Sequence, residues 1–521
     1  MDYIWIAIAF SFGFIIKQFG LPPLIGYLAA GFALNAMGLQ ANDTIDALSN
    51  IGILLLLFTV GLKIHFKSLL RPAVWAGASG HMLAIVLLTT INSLVLAYLG
   101  LQYFDGLDWR AAALIAFAVS FSSTVCAVKM LEERGELRSN HGQVAIGILI
   151  IQDIAAVLFV VLTSDTTPSL WALGLLALPL AKPILNRLID RCGHGEMLTL
   201  AGFFLAFGAG ELFALTGLKA YLGALVFGML LSNHAKASEL ADTLLGFKDI
   251  FLIGFFLSIG FTALPTVDML FAALIMAVAL PIKAAMFFVW LTRLQLRSRS
   301  AFLAALSLAN YSEFGLIVAS FSVAGGLLAK EWLVIMALAV SISFVFSSVL
   351  NSRAHRLYCC YSQFIKRFER SGLGHPEAHL TADKTVIVIG MGRVGVGAYE
   401  ALLSDPEQSV CGIELDKARA EQHKIDGRVV IAADAADPDF WADADLGKVE
   451  LVMLAMPSYQ DILATVNQLH EAGYRGKTAG IAKYPDQQEA LLAAGVDEVF
   501  NLYAEAGAGF AEQSVHLLGK S

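Results

Sequence analysis

Gln152 and Asp153 stand side by side in the run from Gly147 to Leu158, an amide and a carboxylate in an otherwise apolar segment. Roughly 20 apolar residues span a bilayer as a helix, and an Asp at the centre of such a helix costs ~3 kcal/mol on insertion scales. A chain that keeps one uses it for an ion, a proton or a counter-charge, so Asp153 reads as a transport carboxylate. Burial in lipid penalises an uncompensated charge, which lets a proton and a cation compete for that one group. Gln152 stands where a second carboxylate could sit, and its carbonyl oxygen can coordinate a hard cation without adding charge. Ser123 and Thr124, with main-chain oxygens of an interrupted helix, complete a candidate cation set. One titrating carboxylate implies one proton exchanged for one cation, hence electroneutral transport.

Two further intramembrane charges accompany it. Glu313 lies in Ser307-Leu-Ala-Asn310-Tyr-Ser312-Glu313-Phe-Gly315, and Lys283 in Leu280-Pro-Ile-Lys283-Ala-Ala-Met286. Glu313 is read as functional for the same reason as Asp153. Lys283 either compensates one of these carboxylates or snorkels to the cytoplasmic face. His81 and Glu211 are equally well served by packed, hydrogen-bonded roles. Hydroxyls in an apolar helix commonly bond back to a carbonyl one turn earlier, so the Ser122-Ser123-Thr124 cluster acquires meaning only beside Asp153.

The elements that must position these groups are membrane spans. Hydrophobic residues make up 57% of the 521 and charged ones 15%, with a mean hydropathy of +0.70. Thirteen candidate spans fall near 3–20, 22–38, 48–62, 73–99, 110–130, 142–163, 168–185, 196–216, 218–232, 247–263, 267–292, 299–325 and 331–350. The first lacks a basic leader and a cleavage site, so it is expected to be retained. With the N-terminus outside, Lys67, Arg71, Lys129, Arg187, Lys236, Arg293 and Arg356 face inward, as the positive-inside rule requires. Polar breaks interrupt the fifth and twelfth spans, which therefore cross in opposite directions, the signature of an inverted repeat with its site at the midplane. The five cysteines show neither metal nor disulfide spacing.

Composition changes after a linker over 351–383. From Lys384 onward 21 Asp+Glu face 11 Lys+Arg, a net of -10, which excludes a nucleic-acid-binding face. Thr385-Val-Ile-Val-Ile-Gly390-Met391-Gly392-Arg393-Val394-Gly395 reads as a strand, a glycine-rich turn and a helix, and Glu414 ends the next strand 19 residues beyond Gly395. That is a dinucleotide-fold fingerprint: Gly392 admits a phosphate at the helix N-terminus and Glu414 accepts the ribose hydroxyls. An acid there favours NAD(H) or AMP over NADP. No general-base constellation is visible in this segment, so regulation rather than enzyme catalysis is expected.

Together the Gln152-Asp153 pair, the Ser-Ser-Thr break, the opening Leu21-Pro-Pro-Leu-Ile-Gly26-Tyr-Leu-Ala-Ala-Gly31 and Glu313-Phe314 resemble the Kef-type branch of the monovalent cation:proton antiporters. The resemblance implies thirteen spans with two crossed unwound helices over 1–350, a regulator-of-potassium-conductance domain over 384–521 with Asp434 near the base, and a homodimer. It also implies K+ efflux by K+/H+ antiport across the cell inner membrane under nucleotide control. It does not extend to glutathione control. Where glutathione-gated members carry acidic segments, this chain has Ser238–Gly246 and Lys63-Ile-His65, and Ile481–Asp486 keeps one cation of a basic motif. A ligand-gated K+ channel and a Na+/H+ antiporter on the same scaffold stay open on the residues alone.

Overall fold

The computed structural model describes residues 4–19, 21–39, 42–63, 72–133, 136, 139–162, 169, 174–175, 177–369 and 378–514. Two compact units emerge, one of Met1–Met130 with Val144–Phe368 and one of Leu131–Gln143 with Glu369–Ser521.

The first unit is helical. Its helices are α1 (Ile4–Gln18), α2 (Pro23–Ala36), α3 (Asp43–Lys63), α4 (Pro72–Tyr98), α5 (Trp109–Ser120), α6 (Thr124–Glu133), α7 (Asn140–Leu162), α8 (Leu178–Arg191), α9 (Glu196–Leu215), α10 (Ala220–Leu231), α11 (Ala237–Thr262), α12 (Val267–Val278), α13 (Leu280–Arg293), α14 (Ser298–Ser307), α15 (Glu313–Ala324), α16 (Lys330–Asn351) and α17 (Ala354–Lys366). Among the described residues, seven segments of 18 or more residues are apolar enough to cross a membrane, and five shorter apolar helices accompany them.

Local chemistry sets where these helices start. Asp108 caps α5 by accepting from Ala111 N at 2.9 Å, Thr266 caps α12 from Met269 N, and Ser312 caps α15 from Phe314 N. Each side chain satisfies an amide that the first turn leaves without a partner. Pro281, in the first turn of α13, has no N–H to give, and α12 gives way to α13 at Ala279.

The breaks expected in the fifth and twelfth spans are present. Residues 121–123 separate α5 from α6, and residues 308–312 separate α14 from α15. Three expectations change. In the seventh span, 168–185, the described residues form an α-helix only from Leu178. Ser238–Gly246, which the span boundaries leave between 218–232 and 247–263, forms the opening turns of α11, because it holds only two acids and its Leu and Ala residues repeat at helical spacing. The linker contains the helix α17 and a short 3-10 turn, Ala378–Thr381.

The second unit carries a six-stranded parallel sheet in the order β3-β2-β1-β4-β5-β6. Its strands are β1 (Val386–Ile389), β2 (Val410–Glu414), β3 (Val430–Ala432), β4 (Leu451–Leu454), β5 (Lys477–Ala482) and β6 (Glu498–Asn501), with α18 (Arg393–Leu403), α19 (Lys417–Ile425), α20 (Pro438–Asp443), α21 (Tyr459–Glu471), α22 (Pro485–Ala493) and α23 (Leu502–Ser514) between and after them. β1 and β2 are buried at every position, as strands covered on both faces must be. The order reverses at β1, where the chain crosses from β3 to β4. The crevice at the carboxyl ends of β1 and β4 is where such sheets bind ligands.

Candidate functional site

Asp153 and Gln152, on α7, are 1% and 0% exposed. Thr124 opens α6 and donates its hydroxyl to Asp153 Oδ2 at 3.0 Å. Gln152 brackets the first break: its Oε1 accepts from Ser122 N at 2.8 Å and its Nε2 donates to Ser120 O at 3.4 Å. One lone pair of that amide oxygen is thereby engaged by the main chain, leaving one for a cation.

The two breaks hold each other. Ser122 Oγ donates to Leu308 O at 2.8 Å, and Ser123 N donates to Asn310 Oδ1 at 2.6 Å. Ser123 Oγ donates to Glu313 Oε2 at 2.9 Å, so this hydroxyl, grouped with the cation ligands from sequence, serves the second carboxylate. Lys283 Nζ donates to Val119 O, Phe121 O and Asn310 O at 3.1, 2.7 and 2.8 Å. One ammonium thus gives its three protons to carbonyls of both interrupted helices. Neither expectation for Lys283, a carboxylate partner or a snorkelling stem, describes this arrangement. Freed carbonyls at two helix ends form the stronger local demand for a cation. Gly315 permits the crossing, because a Cβ there would run into Ala118 O.

His81 stacks on Phe287, with centroids 3.2 Å apart, and its Nε2 lies 3.3 Å from Lys283 O. It braces the lysine's backbone. Glu211 is exposed on α9.

In the second unit the glycine-rich turn has the geometry its sequence implies. Gly390 sits at φ +90°, and a Cβ on Gly395 would collide with Gly390 O. Nothing lies within 4 Å of the corresponding point on Gly392, so that face of the turn is open. It opens into a cleft of about 660 Å³ lined by Met391, Gly392, Arg393, Val396, Arg419 and His423. Val394 is exposed on the first turn of α18. Glu414 is buried at the end of β2; its Oε1 accepts from Asp416 N at 3.0 Å and its Oε2 lies 3.6 Å from Arg419 Nη1. Asp434 turns the chain after β3 by accepting from Ala436 N.

Sequence reading missed Arg419 and His423. His423 Nε2 donates to Met391 O at 2.9 Å while its Nδ1 faces Arg428 Nη1 at 3.1 Å, and Arg428 pairs with Glu400 on α18. The fingerprint carries no signal for them, since they lie on the helix after the acid. Helical spacing from Asp416, which caps α19 through Ala418 N and Arg419 N, places positions 419 and 423 on one face.

Comparison with known proteins follows this division. The family described as "Sodium/hydrogen exchanger, transmembrane" matches residues 6–352, and the TrkA-N domain matches residues 386–502. The chain is 27% identical over 512 residues to the glutathione-regulated potassium-efflux system protein KefC of Shigella flexneri serotype 5b and to that of Escherichia coli O139:H28. Each match covers 93% of this chain and 79% of the relative. Among solved structures, the sodium proton antiporter MjNhaP1 from Methanocaldococcus jannaschii aligns over 71% of this chain and 97% of that one, at 13% identity and a TM-score of 0.44. With the exchanger match spanning well over half its length, the chain belongs to the sodium/hydrogen exchanger family and is a multi-pass membrane protein that carries a TrkA-N domain after its last span.

Proposed function

We propose that the protein is a nucleotide-regulated K+/H+ antiporter that releases K+ across the cell inner membrane. The carrying observation is the buried Asp153, held by Thr124 at a crossing of two interrupted helices whose carbonyls are neutralised by one lysine. Such a site offers a cation one negative charge with hydroxyl and main-chain oxygens. When the cation leaves, a proton takes its place on the same carboxylate. Asp153 exchanges, Gln152 and Thr124 orient, Lys283 holds the breaks, and Glu313 with Ser123 ties the second break to the first.

Residues 1–350 form the transport part, 351–383 the connection and 384–521 the regulatory part, with the N-terminus outside, the C-terminal domain in the cytoplasm and two copies per functional unit. K+ is the cargo because the curated relatives are potassium-efflux proteins. The regulatory ligand is NAD(H) or AMP. Residues 390–395 and the α18 N-terminus receive its phosphate, aided by Arg393 and Arg419, while Glu414 and Asp434 stand at the ribose and base. Glutathione is not part of this reading.

The test is proton flux in proteoliposomes on an imposed K+ or Na+ gradient, with NADH and AMP added in turn. K+-driven proton movement altered by nucleotide is expected. Potassium movement without proton counterflow would make the protein a ligand-gated channel, and Na+-driven flux of equal size would remove the K+ assignment.

A further inference from the structure

The helix α17 follows the last span directly, with Ser352 and Arg353 between them. Its apolar residues occupy one arc, and that arc is divided. Ala354, Tyr358 and Ile365 are buried, with Tyr358 beside Phe302 of α14 and Ala354 in a cluster with Leu303 and Leu306. The neighbouring edge is open: Tyr361 and Phe364 are each 59% exposed, and Phe368, one turn on, is 43% exposed although it meets Phe288 of α13 at 5.5 Å. Helical spacing puts Arg356 and Arg367 beside that aromatic edge, and both are exposed. From Asn351 to Phe368 the sequence holds four Lys+Arg and no Asp or Glu.

A helix joined to a membrane span, with a wide apolar arc, aromatics on its open edge and cations alongside, has the composition of one lying in the plane of the interface. Water is a poor neighbour for three exposed aromatic rings, whereas the acyl boundary accepts them. The charge asymmetry selects the lipid. We propose that α17 lies in the headgroup layer of the leaflet in which α16 ends, with Tyr361, Phe364 and Phe368 in the acyl boundary and Arg356 and Arg367 on the phosphates of anionic phospholipids. This site lies on the connection between transport and regulatory parts, which makes anionic lipid a ligand of that connection. The inference rests on reading α16 as a span and is independent of whether the protein exchanges K+ for protons.

The test uses the full chain with a nitroxide at position 364 (Phe364→Cys, the native cysteines replaced by Ser), reconstituted in phosphatidylcholine vesicles with and without phosphatidylglycerol. Collision with dissolved oxygen reports acyl surroundings, and collision with a water-soluble nickel chelate reports water. The oxygen-to-chelate ratio is expected to rise several-fold when phosphatidylglycerol is present. Each cation at an anionic surface is worth about fivefold in association, so Arg356→Gln with Arg367→Gln should weaken association with the phosphatidylglycerol surface about 25-fold and remove most of that rise. A ratio that ignores phosphatidylglycerol, a double variant that behaves as the parent, or a label shielded from both colliders, which would mean protein covers this edge, each overturns the proposal.

Discussion

Asp153 and Lys283 carry opposite charges at one crossing, and their expected losses differ in kind. Asp153→Asn removes the only group there proposed to alternate between proton and cation, so K+-driven proton flux should vanish while the folded protein persists, as checked by size-exclusion profile and melting temperature. Lys283→Met leaves three buried carbonyls without their donor. At about 1–3 kcal/mol for each unsatisfied group, this should lower the melting temperature in detergent as well as abolish flux. An unchanged melting temperature would show that the lysine does not hold the breaks. Sequence exposed Asp153 because a lone carboxylate among Ile and Leu is conspicuous. It also exposed Lys283, but not its partners, since the three carbonyls it serves lie 164, 162 and 27 residues away and are free only because two helices are interrupted there. The same limit hid the Gln152 bond to Ser122, which depends on how the fifth and sixth spans face each other.

At the scale of elements, glycines distinguish architecture from ligand access. Gly315→Ala would press a methyl group onto Ala118 O between α5 and α15, so flux should fall steeply while nucleotide binding is retained, measured on the same preparation. In the glycine-rich turn two substitutions separate. Gly395→Ala collides with Gly390 O and should destabilise the domain, whereas Gly392→Ala meets open space and should fold normally yet weaken nucleotide binding at least tenfold by calorimetry. Equal behaviour of the two would contradict the proposed phosphate site. Most of these elements were legible: apolar runs gave the spans, and short apolar strands between helical stretches gave the parallel sheet. The helix α17 was not, because its polar half and cations read as a linker, and its apolar residues are too few to register as a span. The stretch Ser238–Gly246 misled for the opposite reason, two acids drawing attention away from a helical Leu and Ala pattern.

In the molecule as a whole, the TrkA-N domain carries a pH-sensitive group of its own, apart from the proposed exchange at Asp153. Asp461, on α21, has its carboxyl pushed up to about 7 by burial, reinforced by the charges of Asp434 and Glu136. Its ordinary value is 3.8. Between these values the native state keeps a proton that the unfolded state releases, so this group's contribution to stability is present at low pH and declines as pH rises from about 4 to about 7. Asp461→Asn should therefore slow hydrogen exchange of the surrounding amides relative to the parent at pH 8, with the difference fading toward pH 4; a difference that grows on acidification would be the wrong sign. In the proposed exchange, one carboxylate, Asp153, binds K+ and the proton in turn. The most direct measurement is the apparent KM for K+ in K+-driven proton flux across a pH series. Competition at a single group predicts a KM that rises toward about tenfold per unit as pH falls through the titration of that carboxylate, with maximal rate restored at saturating K+. A KM independent of pH, with only the maximal rate changing, would place the proton on a different group and contradict the account.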